Sequence, residues 1–161
     1  MKEIELTQGK VALVDDEDYE YLRQWKWYYG CEGGKNKSGY AVRSITNPKR
    51  ALIFMHRVIM STPTGMETDH INCNKIDNRK ENLRVCTRLQ NKKNNPLMKN
   101  NKTGYKGVSI NNNKYKVKIS VNKKQIHLGY FDKVEDAAKT YNLAALKYHG
   151  KFARLNEICL K

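Results

Sequence analysis

Acidic residues are scarce in this chain, 16 against 31 lysines and arginines over 161 residues, leaving a formal net charge of +15. That balance favours a polyanionic partner. No apolar run is long enough for a membrane-crossing helix, so no membrane partner is expected. The first residues lack the basic-then-apolar pattern of a signal peptide, and an intracellular, cytoplasmic protein is expected. Cysteine is sparse and scattered, at Cys31, Cys73, Cys86 and Cys159, with no Cys-x-x-Cys pair. A disulfide framework and a zinc ribbon are thereby disfavoured. His70, Cys73 and Cys86 lack a fourth ligand, and no structural zinc is expected.

What is present centres on residues 68–95, TDHINCNKIDNRKENLRVCTRLQNKKNN. Asp69 and His70 would ride on a short extended segment. The polar loop that follows, with Asn72, Asn74, Asp77 and Asn78, is too rich in turn formers to continue a strand. Residues 82–85 read as a second short strand. Thr87 and Gln90 stand at capping-box spacing, so a helix should start there with Asn91 in its first turn. The order is strand, loop, strand, helix.

Those residue types suit one chemistry. Asp69 and Asn91 supply oxygens, the ligands preferred by hard cations such as Mg²⁺ or Mn²⁺. His70 titrates near neutrality and can take a proton from water. Asn82 is uncharged and can hold an imidazole in one orientation. Together they would form a single-metal site for phosphodiester hydrolysis. The bland alternative is a polar turn with a capped helix.

The segment resembles the HNH nuclease motif, also called the ββα-metal or His-Me finger, of phage and intron-encoded homing endonucleases. The resemblance runs through Asp69-His70, Asp77-Asn78-Arg79, Glu81-Asn82-Leu83-Arg84 and Asn91. It implies His70 as general base, Asn82 as the residue that orients it, and Asp69 and Asn91 as ligands of a divalent metal. Asn91 stands where many members carry His, and an Asp/Asn pair favours Mg²⁺-type chemistry over a soft metal.

Residues 1–60 are nearly balanced, with 10 basic and 8 acidic side chains. Residues 10–14 read as a strand, and the acids at 15–18 can cap a short helix ending near Trp25. Strands are expected at 25–29, with Trp25 and Trp27 on one buried face, and at 39–43. A loop is expected at 30–38. Residues 52–60 form an apolar run interrupted by His56 and Arg57. Members of the family often carry a similar His-Arg step, so both are candidates for supporting the site. His56 is expected to be a hydrogen-bonded structural histidine; Arg57 could reach a phosphate or close an internal ion pair.

After residue 95 a basic linker, 96–102, should separate two folding units. It could lie along phosphates or simply span solvent. In 103–161 the expected elements are a strand at 105–109, an alternating strand at 114–120, a turn, and a strand at 125–128. A helix capped at Asp132 should run to about Tyr148, with Gly150 just past its end. The helix would cover one sheet face. The other carries Lys116, Lys118, Ser120, Gln125 and His127, with Lys106, Lys123 and Lys124 around it. From Lys102 through His127 there are seven lysines and no acid. Such a face can enter a DNA groove, lysines setting register on phosphates while amides read bases.

This second region resembles the DNA-binding domain of plant ethylene-response factors, the APETALA/ERF type. The resemblance rests on residues 105–108, 128–131, 135–138 and 141–145, together with Gly150 and 153–156. It implies DNA binding by the sheet. The family's base-reading positions fall here on Lys106, Ser109, Asn111, Gln125 and His127, so its target sequence does not carry over.

The sequence thus reads as an α+β chain. A nuclease domain (1–95, motif core 52–95), with an N-terminal sheet region leading into the ββα motif, precedes a three-stranded antiparallel sheet packed on one helix (103–161). The expected activity is site-directed, metal-dependent cleavage of double-stranded DNA, as in homing. The rival readings are a non-catalytic sequence-specific DNA-binding regulator and an RNA-binding protein. The latter would show exposed aromatics on the sheet face.

Overall fold

The computed structural model describes residues 1–30, 39–46 and 51–158, so the loop expected at 30–38 falls almost wholly outside the described residues. The fold is α+β, and the chain divides into two compact units, Met1–Asn91 and Lys92–Lys161.

The first unit opens with a hairpin of β1 (Lys2–Glu5) and β2 (Val11–Val14). β1 was not expected, having only four residues with one buried side chain, Ile4. In β2 Ala12 and Val14 are fully buried, the alternation of a half-buried strand. α1 (Asp16–Leu22) follows with three acids in its first turn. Asp15 precedes it in extended geometry but makes no side-chain cap. Its carboxylate instead accepts the backbone N–H of Lys80 at 2.7 Å, while Glu17 and Asp18 pair with the Lys80 ammonium. The acidic run therefore docks helix α1 on the motif loop.

No strand forms at 25–27. Trp27 is buried and its Nε1 donates to the Leu22 carbonyl at 2.8 Å, closing the helix end. Trp25 packs edge-on against Tyr21 and under Arg43. A three-stranded antiparallel sheet then forms from β3 (Tyr28–Gly30), β4 (Tyr40–Ile45) and β5 (Ala51–Phe54), in that order. The apolar run at 52–60 does not stay extended. It turns after Phe54 into α2 (Met55–Ile59), which buries Met55 and His56. The core gathers Ile4, Leu6, Ala12, Val14, Leu22, Trp27, Ala41 and Met55.

β6 (Glu67–His70) and β7 (Leu83–Cys86) pair antiparallel, Asp69 opposite Arg84 and His70 opposite Leu83. A 3₁₀ turn at Lys80–Asn82 leads into β7. α3 (Arg88–Asn91) starts as expected. The Thr87 N–H donates to Gln90 Oε1 at 2.8 Å, and the Gln90 N–H returns to Thr87 Oγ1 at 3.3 Å. The intervening loop is stitched to β2: Leu13 N–H donates to Ile76 O at 2.9 Å, and Asn78 N–H to Leu13 O at 2.8 Å.

In the second unit β8 (Val108–Asn111), β9 (Lys114–Val121) and β10 (Lys124–Phe131) form an antiparallel sheet of order β10-β9-β8. Asn112 and Asn113, then Asn122 and Lys123, take positive φ as two-residue hairpin turns require. α4 (Val134–His149) packs on one face through Ala137, Tyr141, Ala144 and Ala145 against Val108, Val117 and Ile119. Gly107, at φ +76°, lies so close to the Tyr141 ring that a Cβ there would come within 2.1 Å of it. Asp132 does not cap the helix; it pairs with Lys114 at 3.1 Å.

Candidate functional site

The strand-loop-strand-helix of the first unit gathers the four residues singled out in the sequence. Asp69, His70 and Asn82 are buried, and Asn91 is half-buried.

His70 ends β6, its ring in an aromatic niche. The His56 ring meets it edge-on with centroids 4.9 Å apart, and Tyr40 lies 6.0 Å away. Phe54 and Tyr40 in turn flank His56, at 5.5 and 5.1 Å. Nε2 of His70 lies 3.0 Å from Oδ1 of Asn78, a fully buried amide whose Nδ2 faces Met55 Sδ at 3.4 Å. With that oxygen accepting, Nε2 carries the proton and Nδ1 is the basic nitrogen. Burial lowers the His70 pKa; the Asn78 hydrogen bond and the charges of Asp69 and Asp77 partly oppose it. The net shift favours the neutral imidazole, the form a base needs.

Asn82 holds the loop that carries His70. Its Oδ1 accepts the Asn72 N–H at 2.9 Å, its Nδ2 donates to Asp77 O at 2.8 Å, and its carbonyl accepts the Ile71 N–H at 2.8 Å. It thus fixes the backbone directly after His70, while the amide on the ring is that of Asn78. The sequence offered Asn78 only as a turn former. Asp77, buried beneath the loop, is gripped by Arg79 with one N–H on each oxygen, both at 2.8 Å. That pair, ahead of burial, holds the Asp77 carboxyl below its usual range.

Asp69 faces Arg84 across the hairpin. Nε and Nη2 of Arg84 both donate to Oδ2, at 2.9 and 2.6 Å. Asn91 donates from Nδ2 to Glu67 Oε2 at 2.7 Å, which sets which edge of its amide presents the oxygen. Glu67 and Arg84, which touch Asn91 and Asp69, are given no role by the sequence reading. Among the described residues no group of three or more His, Cys, Asp or Glu could hold a metal. The Asp69 carboxylate and the Asn91 amide each carry an oxygen of the kind a hard cation such as Mg²⁺ prefers.

His56 and Arg57 lie on α2. Burial pushes the His56 pKa down to about 3, with the charges of Arg57 and Lys75, and that of His70 when protonated, adding to it. Its buried Nδ1 meets no hydrogen-bonding partner, contrary to the expectation of a bonded structural histidine; ring contacts hold it instead. Arg57 donates to the Met66 carbonyl at 3.0 Å.

In the second unit the sheet face away from α4 carries Ser109, Asn111, Lys116, Lys118, Ser120, Gln125 and His127. Lys118 donates to Gln125 at 3.3 Å. Lys123 and Lys124 are exposed at the β9-β10 turn. The Lys106 ammonium donates to the Lys93 and Asn95 carbonyls at 2.6 and 2.8 Å. The same bonds fold residues 93–95, next to the expected linker, onto the unit. The face also bears an aromatic the sequence hid. A bulge between His127 and Gly129 shifts the alternation, so Tyr130 pairs with Lys116 on the open face while Phe131 joins the core. Tyr130 is half exposed, edge-on to His127 at 4.8 Å, with the Lys116 ammonium 5.5 Å from its ring.

Residues 54–93 match the family model described as HNH endonuclease. An uncharacterised HNH endonuclease of Acanthamoeba polyphaga mimivirus is 32% identical over 153 residues, covering 94% of this chain and 77% of that protein. The chain belongs to the HNH endonuclease family. The family match covers β6, β7 and α3 and takes in α2 before them, whereas the likeness to the mimivirus protein extends along nearly all of this HNH chain. Divalent-metal dependence and action on DNA are general traits of the family. No helix among the described residues is long and apolar enough to cross a membrane.

Proposed function

We propose that this HNH protein is a site-directed endonuclease that hydrolyses phosphodiester bonds of double-stranded DNA. The observation that carries the reading is the buried imidazole of His70, held by Asn78 and adjacent to Asp69. His70 Nδ1 takes a proton from water, and the resulting hydroxide attacks phosphorus opposite the leaving 3′-oxygen. Asn82 keeps His70 in place by pinning Ile71 and Asn72. Asp69 and Asn91 would hold a Mg²⁺ or Mn²⁺ ion, which would offset the charge on the phosphate and on the leaving oxygen. The His56 and Tyr40 rings exclude bulk water from one side of the imidazole, which favours its neutral form.

The second unit, on the APETALA/ERF resemblance, grips duplex DNA with its open sheet face. Lys116, Lys118, Lys123 and Lys124 set register on phosphates, and Ser109, Asn111, Ser120, Gln125 and His127 lie where base edges would pass. Such a pairing of modules suits a homing endonuclease. The test is supercoiled plasmid incubated with Mg²⁺ or chelator. Nicking or linearisation only with metal supports the reading; DNA binding without cleavage on the chain's own genomic neighbourhood supports a regulator instead.

A further inference from the structure

We propose that Arg84 tunes the cation site so that metal binds weakly until a phosphodiester is present. The inference rests on the reading of Asp69 as a cation ligand. Two arginine-aspartate pairs lie within the motif, and they differ. Arg79 places one N–H on each oxygen of Asp77, closing that carboxylate on both sides as a structural pair does. Arg84 instead converges Nε and Nη2 on one oxygen of Asp69, Oδ2. The side chains are 14% and 8% exposed, so little solvent screens them.

Glu67 lies two residues before Asp69 on the same strand, and Asn91, bonded to Glu67, is neutral. Arg84 therefore reduces the local charge from −2 to −1. A divalent cation approaching Asp69 meets the guanidinium charge at close range. One unit charge opposing a divalent ion about 5 Å away weakens binding by roughly tenfold even at high dielectric. A phosphodiester restores the lost negative charge and is itself an anionic partner for a guanidinium. Arg84 is on this account a positioning residue that couples metal affinity to bound substrate, limiting metal occupancy in the DNA-free protein.

The test is Mn²⁺ titration of the DNA-free protein, read from the electron paramagnetic resonance of unbound Mn²⁺. Arg84→Gln keeps a donor for Asp69 without the charge and should bind Mn²⁺ about tenfold more tightly than wild type. Arg84→Lys keeps the charge and should stay within about threefold of wild type. Asp69→Asn should lose the site. Wild-type affinity in Arg84→Gln, with binding lost in Asp69→Asn, overturns the proposal and leaves the ligand assignment standing. Undiminished binding in Asp69→Asn overturns that assignment, and the proposal with it. A second measurement needs no change at Arg84. The non-cleaving His70→Ala chain should gain about tenfold in Mn²⁺ affinity when duplex DNA is added, after subtracting Mn²⁺ held by the duplex alone; no gain overturns the coupling.

Discussion

Nε2 of His70 donates to Oδ1 of Asn78 across 3.0 Å, and Asn78 is itself fully buried against Met55. Asn78→Ala should lower kcat by roughly 10–100-fold with little change in DNA affinity, because the base loses its tautomer and aim. Stability should fall by about 1–3 kcal/mol for the unpaired buried nitrogen. Asn78→Asp makes the opposite electrostatic change. A carboxylate beside the ring favours imidazolium, so the acid limb of the pH–rate profile should move to higher pH. An unmoved limb would mean that a group other than His70 titrates in the rate.

Asn82→Ala should destabilise the first unit by about 2–3 kcal/mol, since the Asn72 N–H and Asp77 carbonyl both lose a buried partner. Urea unfolding measures the loss. Cleavage should drop further than stability accounts for, at temperatures where the variant is folded.

His56 makes the fold sensitive to acid. Its pKa falls from 6.5 in the unfolded chain to about 3 in the folded one. Above pH 6.5 both states are neutral and the term vanishes. Below it the unfolded chain binds the extra proton, so stability declines by about 1.4 kcal/mol per pH unit toward pH 3. Between pH 5 and 6.5, above the ordinary carboxylate range, His56→Phe should show a slope shallower by about one proton. Urea midpoints across that window would show it.

Gly107→Ala should cost the second unit roughly 3–5 kcal/mol, combining a positive φ with a Cβ driven into the Tyr141 ring. Thermal unfolding should show loss of that unit's transition.

On the open sheet face, Lys116→Ala with Lys118→Ala should weaken duplex binding and reduce the salt slope by about two. Tyr130→Ala should lower affinity with little change in slope, because an uncharged ring releases no counterion. Salt-dependent fluorescence anisotropy separates the two.

How much of this was legible in the sequence follows from the range of the interactions. The β6-loop-β7-α3 order is set within 28 residues, and the Thr87–Gln90 capping box is a local pair that the structure keeps. Asn78 was hidden because Asn in a polar loop ordinarily makes the turn; only folding brings Met55 and His70 to its two ends. The acids at 15–18 looked like a helix cap because Lys80, their partner, is 65 residues from Asp15. Residues 52–60 read only as an apolar run, because such runs carry no periodicity signal that separates a strand from a short buried helix, and the structure divides them between β5 and α2. Tyr130 was not placed on the open face because the expected strand stopped at 128, and alternation alone cannot see the bulge between His127 and Gly129.

The most direct test of the account is plasmid cleavage in Mg²⁺ by wild type, by folded His70→Ala, and by His70→Ala supplied with free imidazole. The account predicts cleavage by wild type, its loss in the variant, and partial recovery with imidazole at pH values where the added base is neutral. Cleavage by His70→Ala at the wild-type rate would contradict it.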